Sequence, residues 1–480
     1  MEDIELYAKL IAVAVVLFYV LAIFSALEAV IKVRTAQGSI AWVISLLTFP
    51  YLSVPLYLVF GRNRFDGYIE QRAEMAAEFD NLLSAAQGSV ASHLIQPADD
   101  STLWSMLYKL AHAPATRGNK VELLINGEAT FDSIATGMLT AQHHILFQFY
   151  IIRDDELGRK LARILSDKAR AGVDVYLIYD EIGSRKFSKS RLCKQLIMSG
   201  VNVAAFNTTQ GHRNRFQLNF RNHRKVVVVD GITAWIGGHN VGVEYLGLNK
   251  RVGHWRDTHT RLQGPAVLAA ELAFATDWRW ATRSTLDIEW NFNGSIAGNS
   301  EVMIFPSDPA SEFEEAGLMY HQVIVDARKR IWIASPYFVP DRGIVAALQL
   351  AALRGVDVRL IIPDQPDKMM VGMANWAFTK ELLPAGVKVY RYQQGFMHQK
   401  VFLMDDELAG VGTANFDNRS FRLNFEITVL ANDPVFTAQV GEMLERDIEH
   451  SHLVTPEEMA AKPRWFPLAM GIARLFSPVL

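Results

Sequence analysis

One pattern occurs twice in this chain at a fixed offset, and it limits the fold more than any other feature. Residues 222–231 read Asn-His-Arg-Lys-Val-Val-Val-Val-Asp-Gly, and residues 397–406 read Met-His-Gln-Lys-Val-Phe-Leu-Met-Asp-Asp. Both spell H-x-K-x4-D, with His223, Lys225 and Asp230 in the first copy and His398, Lys400 and Asp405 in the second. A small-residue turn and an asparagine follow each, as Gly237-Gly238-His239-Asn240 and Gly412-Thr413-Ala414-Asn415. Every matched position recurs 175 residues later. Such a repeat implies a chain built from two copies of one unit.

The runs Val226 to Val229 and Val401 to Met404 are apolar, partly β-branched and bounded by polar residues, which predicts buried strands. Side chains alternate between the faces of a strand, so a His and a Lys two residues apart point the same way. The Asp lies an odd number of positions after the His, toward the other face, which gives it an orienting or structural role. Two copies brought face to face make one pocket with two His, two Lys and two Asn. That pocket offers donors and cations for a phosphate and two groups able to move protons near neutral pH. The Cys and carboxylate clusters of a metal site are not in the pattern, and the glycine-rich turns match no phosphate-loop or dinucleotide motif. The chemistry expected is substitution at phosphorus without metal or cofactor: one His attacks and the other protonates the leaving oxygen.

The duplication extends beyond the motifs. Strand-like His144 to Ile152, a helix-like run and Gly172-Val173-Asp174-Val175 are echoed by Arg330 to Val339, a second helix-like run and Gly355-Val356-Asp357-Val358. Strands alternating with helices predict two α/β halves with mostly parallel pairing. The first half carries extra residues in Gln210 to Arg221, including Arg213, Arg215 and Arg221. A basic loop beside a phosphate site either holds an anionic headgroup or is simply solvated.

Half of the 480 residues are hydrophobic, which points to membrane segments. Leu10 to Leu27 and Ile40 to Phe60 are each uncharged and long enough to cross the hydrocarbon layer as a helix, although Pro50 and Pro55 interrupt the second. Acidic residues at Glu2, Asp3 and Glu5 argue for a retained anchor over a cleaved signal peptide. Basic residues after the second run, Arg62, Arg64 and Arg72, favour a cytoplasmic catalytic part. A net charge of −3 argues against a nucleic-acid partner, and the single cysteine, Cys193, excludes an intrachain disulfide.

These residues resemble the phospholipase D superfamily, whose signature is the duplicated motif. The stretches Asn222-His223-Arg224-Lys225, Trp255-Arg256-Asp257-Thr258-His259, Ser335-Pro336-Tyr337-Phe338-Val339-Pro340 and Asn424-Phe425-Glu426 are similar to those of the bacterial cardiolipin synthases of that superfamily. The resemblance implies two homologous phospholipase-D-like α/β halves sharing one active site, preceded by a two-helix transmembrane hairpin. It implies a catalytic set of His223, Lys225, Asp230, His398, Lys400 and Asp405, with Asn240 and Asn415 on the substrate phosphate. Glu426 is expected to orient the neighbouring His, with Asp257 as its counterpart in the first half. The reaction implied joins two phosphatidylglycerol molecules through a phosphohistidine on His223, giving cardiolipin and glycerol. A hydrolase releasing phosphatidic acid uses the same motifs and is the alternative.

The expected organisation is a hairpin anchor at 1–60, a connecting region at 61–117, halves at 118–290 and 291–450, and an amphipathic tail at 451–480. The tail either lies in a membrane interface or packs on the core. The location implied is the bacterial inner membrane, multi-pass, with phosphatidylglycerol and cardiolipin as lipid partners and a homo-oligomer left open.

Overall fold

The computed structural model describes residues 2–33, 35–61, 65, 67–70, 90–95, 102–207, 219–249, 253–288 and 296–477. Residues 71–89 and 96–101 of the expected connecting region, and the arginines at 213 and 215, lie outside these residues. The chain forms two compact units, one of residues 1–74 with 208–220 and one of residues 75–207 with 221–480.

In the first unit, α1 (Glu2–Lys32) is unbroken. At about 1.5 Å per residue it exceeds the ~30 Å of a bilayer core. Its most apolar 18-residue stretch has a mean hydropathy of 2.9. The second apolar run, interrupted in sequence by Pro50 and Pro55, is not one helix. It forms α2 (Ala36–Thr48), capped by the Thr35 hydroxyl, and α3 (Pro50–Leu56), which runs into a wider turn at Tyr57–Gly61. The break falls at Phe49, with φ −130° and ψ 60°. Pro50 lacks an amide hydrogen and disfavours helical backbone in the residue before it. Both pieces pack on α1, where Ala22, Ala26 and Ala29 bury against Leu46, Val54 and Tyr57. Small residues there let the helices approach closely. Among the described residues, only α1 is long and apolar enough to cross a membrane by itself.

The second unit is a duplicated α/β structure. The first half contributes β1 (Thr116–Ile125), β2 (His144–Phe149), β3 (Asp174–Asp180), β4 (Asn202–Phe206), β5 (Val226–Val229), β6 (Thr233–Gly237) and β7 (Thr258–Gln263). The second contributes β8 (Ser300–Ser307), β9 (Arg330–Ala334), β10 (Asp357–Pro363), β11 (Lys388–Tyr392), β12 (Val401–Met404), β13 (Leu408–Gly412) and β14 (Asn424–Asn432). One sheet runs through both in the order β11-β10-β9-β12-β13-β14-β8-β1-β7-β6-β5-β2-β3-β4. The two halves have the same strand order and meet edge to edge where β8 pairs antiparallel with β1. The expectation of mostly parallel pairing needs correction. Among these fourteen strands only β2-β3-β4 and β9-β10-β11 run parallel. The motif strands β5 and β12 pair antiparallel on both sides, because a tight turn joins each to its successor.

Each half has its own core. The first gathers Phe147, Leu177, Val227 and Trp235. The second gathers Ile333, Leu360, Phe402 and Leu430. Helix Thr102–Ala111, in the expected connecting region, buries Leu107 and Leu110 in the second core. The tail also adds to that half. Its strand Ser451–Leu453 pairs with β11, and helix Phe466–Leu475 sends Phe466, Met470 and Ala473 into the core.

Candidate active site

The four valines of β5 and the four residues of β12 are fully buried, which fixes the segments just before them. Those segments carry the His and Lys of each motif. Each is held by a short strand of the opposite half. Arg221–Asn222 pairs in parallel with the start of β14, and the His223 amide donates to the Phe425 carbonyl at 2.9 Å. Phe396–Met397 pairs in parallel with Trp255–Arg256, and the His398 amide donates to the Arg256 carbonyl at 2.7 Å.

This exchange of strands crosses the carboxylates. His223 of the first half contacts Glu426 of the second, Nδ1 to Oε2 at 3.0 Å. His398 of the second half contacts Asp257 of the first, Nδ1 to Oδ2 at 2.7 Å. A His that donates from Nδ1 keeps the lone pair of Nε2 free for chemistry. Glu426 is held in turn by the hydroxyls of Thr413 at 2.6 Å and Ser420 at 2.8 Å, and by the Asn424 amide at 3.0 Å. Asp257 accepts from the Thr258 amide at 2.8 Å. The glycine of the small-residue turn is explained here: a Cβ on Gly238 would stand 2.0 Å from Asp257 Oδ1.

Both lysines are buried, Lys225 at 0% and Lys400 at 2% exposure. Lys225 Nζ donates to the His223 carbonyl at 2.6 Å. Lys400 Nζ lies against His398 itself, 2.9 Å from Nδ1 and 3.1 Å from Nε2. Burial pushes His223 down to about 4; Lys225 and Lys400 add to this and Glu426 opposes it. Burial and Lys400 push His398 down to about 3, against Asp257. Burial also lowers Lys225 to about 7 and Lys400 to about 8. Burial alone would raise the two carboxylates, but the surrounding His and Lys outweigh it and hold both below the usual range. The site thus holds neutral imidazoles and two lysines that part readily with their protons, all within electrostatic reach of one another across the halves.

A sequence profile described as "Cardiolipin synthase, PLD-like domain" matches residues 134–255 and 320–448. The cardiolipin synthase A of Pseudomonas fluorescens strain SBW25 is 44% identical over 478 residues, covering 98% of each chain. That of Pseudomonas aeruginosa strain LESB58 is 46% identical, covering 96% of this chain and 94% of its own. The chain belongs to the cardiolipin synthase family of phospholipase D-like proteins. A crystal structure of a phosphatidylserine synthase from Haemophilus influenzae has the same fold, with a TM-score of 0.59, 15% identity, and coverage of 78% of this chain and 99% of that one.

In this cardiolipin synthase family member, His223, Lys225, His398, Lys400, Asp257 and Glu426 come together. Asp230 and Asp405 do not. Each sits past the far end of its motif strand in left-handed backbone, φ 53° and 52°. Asp230 accepts amides of Gln142, His143 and His144, and Asp405 those of Arg328, Lys329 and Arg330. Each ties its motif hairpin to the start of β2 or β9. Asn240 accepts from the Ile151 amide at 3.0 Å and donates to the Tyr245 hydroxyl at 3.2 Å. The Asn415 side chain is buried, and its amide nitrogen in the backbone donates to Ser420 Oγ.

Sequence reasoning missed Asp277 and Asp447. Arg224, between His223 and Lys225, pairs with Asp277 at 2.9 Å, and Gln399, between His398 and Lys400, bonds Asp447 at 2.7 Å. Arg256 pairs with the same Asp447 through both carboxylate oxygens. Both acids lie on helices packed behind the sheet, at Val267–Thr282 and Pro434–Glu449. The signal in the sequence was the polar residue between each His and Lys: buried beside an apolar strand, it needs a partner.

Proposed function

We propose that the chain is a membrane-anchored cardiolipin synthase that moves a phosphatidyl group from one phosphatidylglycerol to another. The observation that carries this is the crossed pair of imidazoles, each bonded through Nδ1 to a carboxylate of the other half, with a buried lysine two residues on. The names of the relatives, matched over nearly the whole chain, support the lipid class.

His223 Nε2 attacks the phosphorus of the first lipid. The bond from phosphorus to the glycerol oxygen breaks, and protonated His398 gives that oxygen its proton. Among the described residues His223 Nε2 has no hydrogen-bond partner, whereas His398 Nε2 has Lys400 Nζ at 3.1 Å. This difference supports His223 as nucleophile and His398 as acid. Entry of an anionic phosphate raises the His398 pKa, and Lys400 stands close enough to supply the proton. Neutral His398 then takes the proton of a headgroup hydroxyl on the second phosphatidylglycerol and returns it to Lys400. That oxygen bonds to phosphorus, the P–N bond breaks and His223 is regenerated. Lys225, Lys400, Asn240 and Asn415 hold the non-bridging oxygens.

In this reading α1 spans the bacterial inner membrane, α2 and α3 return as a kinked second span, and the catalytic unit faces the cytoplasm. Exposed apolar residues on helix Phe466–Leu475 lie in the lipid interface. Labelling of an engineered Arg64→Cys by an impermeant maleimide added outside intact cells overturns this orientation.

The test of the activity uses purified protein in detergent micelles with phosphatidylglycerol as sole lipid and a chelator present, followed by mass spectrometry. Cardiolipin and glycerol from the wild type, lost in His223→Ala, are expected. Phosphatidic acid as the sole product assigns the chain to hydrolysis instead.

A further inference from the structure

Transfer between two phosphatidylglycerols brings two phosphodiester anions into one site, and Lys225 and Lys400 serve the reacting one. Two more cations stand beside the pocket. Arg221 lies two residues before His223, in the extended segment paired with β14. The side chains of Asn222 and Arg224 turn the other way, to Asp277 at 2.8 and 2.9 Å. Arg221 therefore shares the face of His223 and Lys225. Arg419 comes from helix Asn418–Arg422, whose Ser420 hydroxyl also holds Glu426. Both arginines are half-buried.

Tyr150 connects these arginines to the reacting groups. Its ring meets the His223 imidazole edge-on at 5.0 Å and lies beneath Lys225 Nζ at 5.7 Å. Its hydroxyl is raised by burial and by Asp180, while Arg221 and Arg419 oppose that shift. Burial lowers Arg419, and the next largest cause is repulsion from Arg221. Both guanidinium groups are thus within electrostatic reach of the Tyr150 hydroxyl, whose ring packs on the nucleophile.

We propose that Arg221 and Arg419 form a second anion site, which holds the phosphodiester of the lipid alcohol that attacks the phosphohistidine. The proposal rests on the transferase reading above. Two anions separated by only a glycerol bridge repel strongly in a partly buried site. Planar guanidinium forks offset that repulsion and orient the phosphate, and with it the attacking hydroxyl. Water and free glycerol carry no charge and gain nothing from the pair. The site therefore selects an anionic lipid acceptor over water.

The experiment compares two reactions of the full chain in phosphatidylglycerol micelles. One is cardiolipin formation, with an anionic acceptor. The other is incorporation of labelled glycerol into phosphatidylglycerol, which passes through the same phosphohistidine with a neutral acceptor. In Arg419→Gln, and independently in Arg221→Gln, the ratio of the first rate to the second should fall about tenfold or more, with Arg419→Lys restoring part of it. Parallel loss of both reactions assigns the arginines to the donor phosphate or to folding and overturns the proposal, as does an unchanged ratio. If the wild type exchanges glycerol and makes no cardiolipin, the transferase reading itself fails, and the acceptor site with it.

Discussion

Glu426 meets His223 at 3.0 Å although 203 residues and the boundary between two halves separate them. The matching contact, Asp257 to His398, crosses the same boundary in the opposite direction. Neither half can therefore orient its own imidazole. Glu426→Gln should lower kcat by about 10²–10⁴-fold, because an amide holds the wrong tautomer of His223. The ring nitrogen resonances of His223 should move in this variant while those of His398 stay. Movement confined to His398 would mean that the carboxylates act within their own halves.

The lysines set the alkaline limit. Lys225 and Lys400 have pKa values lowered to about 7 and about 8, so each is charged below that pH and neutral above it. In the proposed mechanism their charge holds a phosphate, so kcat/KM for phosphatidylglycerol should fall as pH rises from 7 to 9. His223 and His398, lowered to about 4 and about 3, remain neutral in the free enzyme over that whole range and contribute no slope. A kcat/KM profile that stays level to pH 9.5 contradicts this account.

Gly238→Ala tests the packing of the turn against Asp257. The added methyl would sit 2.0 Å from Oδ1 of a carboxylate already fixed by the Thr258 amide and by His398. The carboxylate must shift, and His398 loses its orientation. Turnover should drop at least about tenfold, with a stability cost of about 1–3 kcal/mol typical of overpacking. A crystal structure of the variant with the Asp257–His398 contact unchanged at 2.7 Å would argue against it.

The motif residues and the duplication were legible because their spacing survives in one dimension. His223 and Lys225 share a strand face by simple alternation, and the seven-residue step rightly sent Asp230 away from them. The crossed carboxylates were not legible, since identical halves give no sign of which His each acid reaches. The exchange depends on two-residue strands, Arg221–Asn222 and Phe396–Met397, too short to leave a pattern. The prolines mark an interruption of the second apolar run, but hydropathy continues through Phe49 and Pro50 and gives no sign of where the helix breaks. Helix Thr102–Ala111 escaped for a further reason: its partners, such as Met303 and Phe305, lie about two hundred residues downstream.

Asp230 and Asp405 should prove structural. Asn tolerates left-handed backbone, so Asp230→Asn isolates the carboxylate, which accepts three amides at 2.8–2.9 Å. Its loss should cost about 1–3 kcal/mol, read as a lower unfolding midpoint. The yield of trapped phosphohistidine per folded molecule should match the wild type. A folded variant that forms no adduct would return Asp230 to the chemistry.

The tail helix offers two faces to two environments. Phe466, Met470 and Ala473 pack in the core, while Leu468, Ile472 and Leu475 stay 70%, 46% and 79% exposed, with Trp465 at 59%. The exposed four are spaced at three, four and three residues, which makes one apolar stripe on one side of the helix. Water is a poor partner for such a stripe, and a lipid interface is a good one. Leu468→Glu combined with Ile472→Glu should leave the unfolding free energy within about 0.5 kcal/mol of wild type, because neither side chain is in the core. Activity on phosphatidylglycerol in bilayer nanodiscs should fall severalfold relative to activity on dispersed short-chain phosphatidylglycerol. Equal activity of the variant and the wild type on both substrates would show that the stripe does not touch lipid during turnover.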